Sequence, residues 1–298
     1  MSNCVLFSLR FHRLGVSRKV NNDDVGVQED MLHVSKTILE SPSLDAIASF
    51  DRATRAELIS LAVPGTASLG ALILPTDHLG RAYDYLAQRS SERIFLMDAF
   101  LVDYDRARSD AAVRLGILFN PDDYPSRAKV AEQFRMSWNA YELGVPGALA
   151  EINPQLYEQE RQRYCQEWEQ VISDATMALT DEFHRLLSHM IERLEPDENG
   201  RPKIFRESTV ENFRDFLEKF QPRNISNSEE LASVARECQE LLNTLGGRAS
   251  TLLRRSAPIR ELVAEGMTRV RDSLSASITT APIRHITPMS REELARCA

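Results

Sequence analysis

From Thr76 to Leu118 the chain contains no proline, and apolar or small residues recur at Leu79, Tyr83, Leu86, Ser90, Ile94, Met97, Leu101, Tyr104, Ala111, Leu115 and Leu118. Threes and fours sustained for so long describe one face of a single α-helix, roughly 60 Å long at ~1.5 Å per residue. A second run of this kind opens on Asn153, an N-cap, with Pro154 at the first helical position, and stops before Pro196. Its stripe is Tyr164, Trp168, Val171, Ala175, Leu179, Phe183, Leu186, Met190 and Leu194. The mean spacing, about 3.75, is looser than a heptad, which favours pairing inside a bundle over a free coiled-coil rod. The expected fold is therefore mainly α: an elongated helical bundle with the two long helices antiparallel.

Shorter elements fill the rest. Val5, Phe7, Leu9 and Phe11 alternate with period two, as in a strand, and the short apolar run Gly70-Ala71-Leu72-Ile73-Leu74-Pro75 reads as a second strand that joins it in a small β-ribbon. Helices are expected over 23–40 and 44–61, over 126–138 with Trp138 on its apolar face, and after two capping boxes, Ser208 with Glu211 and Ser226 with Glu229. A further helix covers 252–277, interrupted or started at Pro258, before an extended tail from Ala281. Three consecutive segments follow: 1–75 with strands and short helices, 76–200 with the long-helix pair, and 201–298 with a basic last helix.

No apolar run approaches the ~20 residues that a membrane-spanning helix needs, since Asp98 breaks the best stretch, Ile94 to Val102. The short apolar patch Val5 to Leu9 is followed by Arg10 and Arg13 with no small-residue cleavage site, which argues against a signal peptide. Cys4, Cys165, Cys238 and Cys297 stand singly, as in a compartment where thiols stay reduced. A cytoplasmic protein is the expectation.

The usual catalytic and nucleotide-binding patterns are missing. Neither GxxxxGK[ST] nor GxGxxG occurs, nor GxSxG, nor HExxH. His184 and His189 are separated by about 140° around a helix, so they do not face one metal. Pro121-Asp122 and Pro196-Asp197 resemble the start of a PD-(D/E)xK nuclease pattern, but Ser17, Val34, Arg127, Arg201 and Leu217 precede the five lysines by two positions, where an acid is required. Asp23-Asp24 and Asp122-Asp123 suit turns. No catalytic, cofactor-binding or metal-ligating residue is assigned, and a non-enzymatic role is expected.

Charge is more informative. The net charge is −8, yet from Arg248 onward nine arginines meet five acidic residues, +4, which leaves −12 for residues 1–247. Residues 151–199 hold twelve acidic residues against four arginines. Arg248, Arg254, Arg255, Arg260, Arg269 and Arg271 are thus candidate contacts for nucleic-acid phosphates or for an acidic protein partner, or they form a solvated helix face. No aromatic residue follows Gln221, so base stacking has no support.

Several segments in order carry a family likeness: Leu9-Arg10-Phe11 through Ser17-Arg18-Lys19-Val20, Val34-Ser35-Lys36 with Leu39 and Ser41, Asp123-Tyr124-Pro125-Ser126, Gly144-Val145-Pro146, and Lys203-Ile204-Phe205-Arg206-Glu207-Ser208 leading to Phe220 and Asn224. Through them most of the chain resembles an uncharacterised "domain of unknown function" family of phages and integrative mobile elements. Members are often encoded near a MoxR-type AAA+ ATPase and a von Willebrand factor A protein. The resemblance implies those proteins as partners and brings no catalytic residues with it. The expected function is a helical adaptor or assembly subunit working with the ATPase; the alternative is a DNA-associated recombination or defence factor using the C-terminal arginines. Long apolar stripes also suit pairing across subunits, so a homo-oligomer is expected.

Overall fold

The computed structural model describes residues 3–20, 34–66, 71–196, 201, 203, 205–246 and 249–280, and for 276–280 the backbone alone. The fold is mainly helical, with short strands gathered in the first half of the chain. No helix among the described residues is long and apolar enough to cross a membrane. Two compact units form: one from 1–6, 59–79 and 141–298, the other from 7–58 and 80–140. Both are discontinuous, and they cut across the three consecutive segments read from the sequence. The reason is that β1 (Cys4–Phe11) and α1 (Pro42–Leu61) each cross the boundary, which a linear reading does not reveal.

In the unit formed by 7–58 and 80–140, α2 (Leu79–Leu115) is the first of the two long helices. Its buried residues are Ala82, Leu86, Arg93, Phe100, Tyr104, Ala107 and Ala111. Leu86, Tyr104 and Ala111 belong to the expected stripe, but Ile94 is 53% exposed and Tyr83 40%. The buried face is turned toward Arg93 and Phe100, because an arginine sits where apolar periodicity looks for an aliphatic residue. Around α2 gather Leu14, Ile38, Leu39, Ile47, Tyr124, Val130 and Phe134. β5 (Met136–Tyr141) lies beside β1, and His12 N donates to Arg135 O at 2.7 Å.

Two helix expectations fail in this unit. The segment expected to be helical to Trp138 forms only α3 (Arg127–Gln133) and then turns into β5, with Trp138 in the strand. Of the helix expected over 23–40, residues 23–33 lie outside the described residues, and Ser35–Thr37 is a strand, β3. It pairs antiparallel with β2 (Ser17–Lys19) in the register Ser17↔Thr37, Arg18↔Lys36, Lys19↔Ser35. Val20 N donates to Val34 O and Ile38 N to Val16 O, so this backbone is satisfied across the ribbon rather than along a helix.

In the other unit β4 (Leu72–Pro75) lies beside β1, and Thr76 N donates to Asn3 O at 2.9 Å. The main scaffold is α5 (Pro154–Leu194), capped by Asn153, whose side chain accepts from Leu156 N, with Pro154 inside the first turn. α5 packs on α4 (Ala148–Ile152), α6 (Glu207–Arg223) and α9 (Ala257–Thr280). α7 (Glu229–Asn243) packs on α6 and α9, and α8 (Ala249–Arg255) on α6 and α9. The capping boxes sit slightly off: α6 begins at Glu207 without a side-chain cap, and α7 is capped by Ser228 rather than Ser226. α7 and α9 approach closely at Gly266, where an added Cβ would lie 3.0 Å from both Leu241 methyl groups. The expected tail from 281 lies outside the described residues.

The core of this unit is centred on Phe183, which is fully buried and meets Phe213, Phe216 and Phe220 at ring distances of 6.3, 5.1 and 5.7 Å. A residue touching three aromatic neighbours leaves a cavity that side chains on two rigid helices cannot close. Phe183→Ala should therefore cost about 3–5 kcal/mol, measured by urea unfolding; a loss below about 1 kcal/mol would contradict this packing.

Candidate functional site

Of the six C-terminal arginines, the five that are described do not all lie at the surface. Arg248 lies outside the described residues. Arg260 is buried, and its guanidinium donates to Leu253 O (2.9 Å) and Arg254 O (3.1 Å), closing the end of α8. Arg254 Nε donates to Phe205 O at 2.8 Å, tying α8 to the segment before α6. Arg271 binds its neighbour Asp272 at 2.9 Å. Arg255 and Arg269 are exposed, one on α8 and one on α9. Helix C-termini present carbonyls without intrahelical partners, and here arginines supply the donors.

A cleft of about 390 Å³ opens where the loop after β5 and α4 meet the first turns of α5. Val145, Pro146, Leu149, Leu156 and Tyr164 give it an apolar lining, and the ring of Tyr164 stacks with Trp168 at 6.4 Å. Its charged side is internally paired: Arg163 bonds Glu160 at 2.6 Å and Glu167 at 3.5 Å. From Pro154 to Asp174 only Cys165 of α5 is buried, while Ile152, just before the helix, is 80% exposed. An open apolar trough with a charged side accepts an extended or helical segment of another chain.

Polar side chains buried in the two units have structural work. Arg93 and Asp51 form a bidentate pair at 2.8 and 3.1 Å with both side chains at least 96% buried; Arg93 also donates to His12 O. Lys36 Nζ donates to Leu118 O and lies 2.7 Å from Asp123, which Arg18 approaches at 3.8 Å. The acid read as a turn residue is thus the partner of two cations from the β2–β3 ribbon. Lys219, 1% exposed, donates to Ser60 Oγ (2.8 Å) and Asp215 (2.7 Å), and Arg223 donates to Ala62 O and Glu182. None of these was marked by the sequence, although Arg93 stands seven residues from both Leu86 and Phe100, a spacing that places it inward.

Cys4, Cys165 and Cys238 are buried and unbridged, and Cys297 lies outside the described residues. Burial pushes the Cys4 thiol up to about 11 and raises Cys238 further, so both stay protonated and inert near neutral pH. Among the described residues no group of three His, Cys, Asp or Glu side chains is arranged to hold a metal ion. The chain matches no family model, no curated protein and no solved structure.

These contacts separate the arginines by role. Arg260→Ala orphans two carbonyls and should cost about 1–3 kcal/mol, whereas Arg255→Ala should stay within about 0.5 kcal/mol, both by urea unfolding. Arg93→Ala leaves the buried Asp51 carboxylate with only the half-exposed Arg13, at 3.5 Å, and should cost about 3–5 kcal/mol; the double change Asp51→Leu with Arg93→Met should cost clearly less.

Proposed function

We propose that this chain is a non-enzymatic adaptor or assembly subunit of a phage or integrative-element system, working with a MoxR-like AAA+ ATPase and a von Willebrand factor A protein. The observation that carries this is the open cleft between α4 and the first turns of α5. It offers apolar area and paired charges rather than a converging set of reactive groups. Binding through such a surface draws its energy from a few well-placed apolar contacts, with charged residues setting orientation. The family likeness supplies the identity of the partners, and it leaves ATP hydrolysis to one of them.

Among the described arginines the nucleic-acid alternative rests on Arg255, Arg269 and Arg271, since Arg254 and Arg260 hold backbone carbonyls; Arg248 remains a candidate contact for it. A protein that neutralises several phosphates loses affinity steeply with salt. Mobility shifts at two salt concentrations therefore discriminate: salt-sensitive retardation abolished by Arg255→Gln with Arg269→Gln would favour that alternative.

The adaptor proposal is tested by co-purification with the ATPase and the von Willebrand factor A protein encoded beside the gene, with and without ATP. Association is expected, weakened tenfold or more, about 1.4 kcal/mol, by Leu156→Glu in the cleft. Failure to associate with either protein in both nucleotide conditions would overturn it.

A further inference from the structure

The outward face of α2 carries a row of apolar side chains that the fold leaves uncovered. Phe95 is 74% exposed, Val102 75%, Val113 84% and, just past the helix end, Ile117 95%. At 100° per residue Phe95 and Val113 are five whole turns apart and point the same way, with Val102 and Arg106 about 20° to either side. At about 100 Å² each, these four side chains expose on the order of 400 Å² of apolar surface. That is within the range of the largest, often functional, apolar patch of a monomer, about 300–600 Å².

With Arg106 counted beside them, the positions Phe95, Val102, Arg106 and Val113 are spaced seven, four and seven, symmetric about Tyr104. A two-fold axis makes the same demand on a helix that pairs with itself in antiparallel fashion, because residue i then meets residue j and j meets i. We propose that α2 is a self-association surface on which a second copy of this chain docks antiparallel, Phe95 of each copy packing on Val113 of the other.

In that register the second copy's Arg106 lays its aliphatic stem on Val102. Its guanidinium comes level with Asp103, the residue it already bonds at 3.2 Å within its own helix. The pairing is therefore matched in charge as well as shape. Ala99 and Ser109, level with one another across the pair, are small enough to admit close approach, and Asp98 and Asp110 fall on opposite flanks, in solvent. Two copies contribute on the order of 800 Å² of apolar surface, which with the flanking residues approaches the ~1,200–2,000 Å² of a stable interface. The inference rests on α2 alone and is independent of the partners proposed above.

Light scattering of the full chain at micromolar concentration should give about twice 33.7 kDa. Phe95→Glu with Val113→Glu, which sets like charges opposite each other in this register, should give the single mass with unchanged circular dichroism, since both positions are exposed. In a Cys297→Ser background, Phe95→Cys and Val113→Cys chains should form a disulfide with each other when mixed and oxidised, and neither should do so alone. A monomeric wild type, an assembly that survives the double substitution, or Phe95→Cys chains that crosslink by themselves would each overturn the proposal.

Discussion

One charged contact sets the phase of an entire helix. Arg93 and Asp51 neutralise each other with two hydrogen bonds in a site that water does not reach, and Phe11 and Phe134 flank the guanidinium at 5.6 and 5.8 Å. A lone arginine would be too costly to bury, and α2 would turn to expose it. With Asp51 in place, Arg93 can occupy the inward line Leu86, Arg93, Phe100, Ala107. Everything on the other side of the helix follows by geometry: Phe95 and Val102 are outward because Arg93 and Phe100 are inward. The polar pair in the core and the apolar row on the surface are one fact seen from two sides.

This also explains what the sequence made legible. The bounds of the second long helix were readable to the residue, since Asn153-Pro154 and the proline after Glu195 are local signals that no distant contact overrides. Of its expected stripe Ala175, Leu179, Phe183, Met190 and Leu194 are buried, whereas Tyr164, Trp168, Val171 and Leu186 are only partly so and Cys165, Leu187 and Ile191 are buried beside them. The existence of α2 was equally plain, but its orientation was not, because apolar periodicity counts arginine as outward and the evidence to the contrary, Asp51, lies forty-two positions away. Trp138 failed for the same kind of reason. Val130, Phe134 and Trp138 have helical spacing, yet β1 offers hydrogen bonds to the segment from Met136 onward that a short isolated helix cannot match.

The candidate site shows the same division. Composition located the positive charge near the C-terminus correctly, but it could not tell a solvent-facing arginine from one that closes a helix end, as Arg260 does for α8. The apolar lining of the cleft was present in Gly144-Val145-Pro146 as a break between helices; that Leu149, Leu156 and Tyr164 converge beside it depends on α4 folding back onto α5, which no local pattern encodes.

Lys219 and Arg223 illustrate how far such dependence reaches. They donate to Ser60 and to the carbonyl of Ala62, partners 159 and 161 positions earlier in the chain. On a ribosome adding about 5–20 residues per second, Ser60 emerges roughly ten to thirty seconds before the lysine that meets it. The unit containing Arg93 has all of its residues in hand by position 140, whereas the other must hold Leu61, Val63 and Leu74 without their final neighbours until α5 and α6 have been made. Order of synthesis thus favours the unit containing Arg93, while Cys4 and the stretch from Ile59 to Leu79 wait longest for partners such as Ala175.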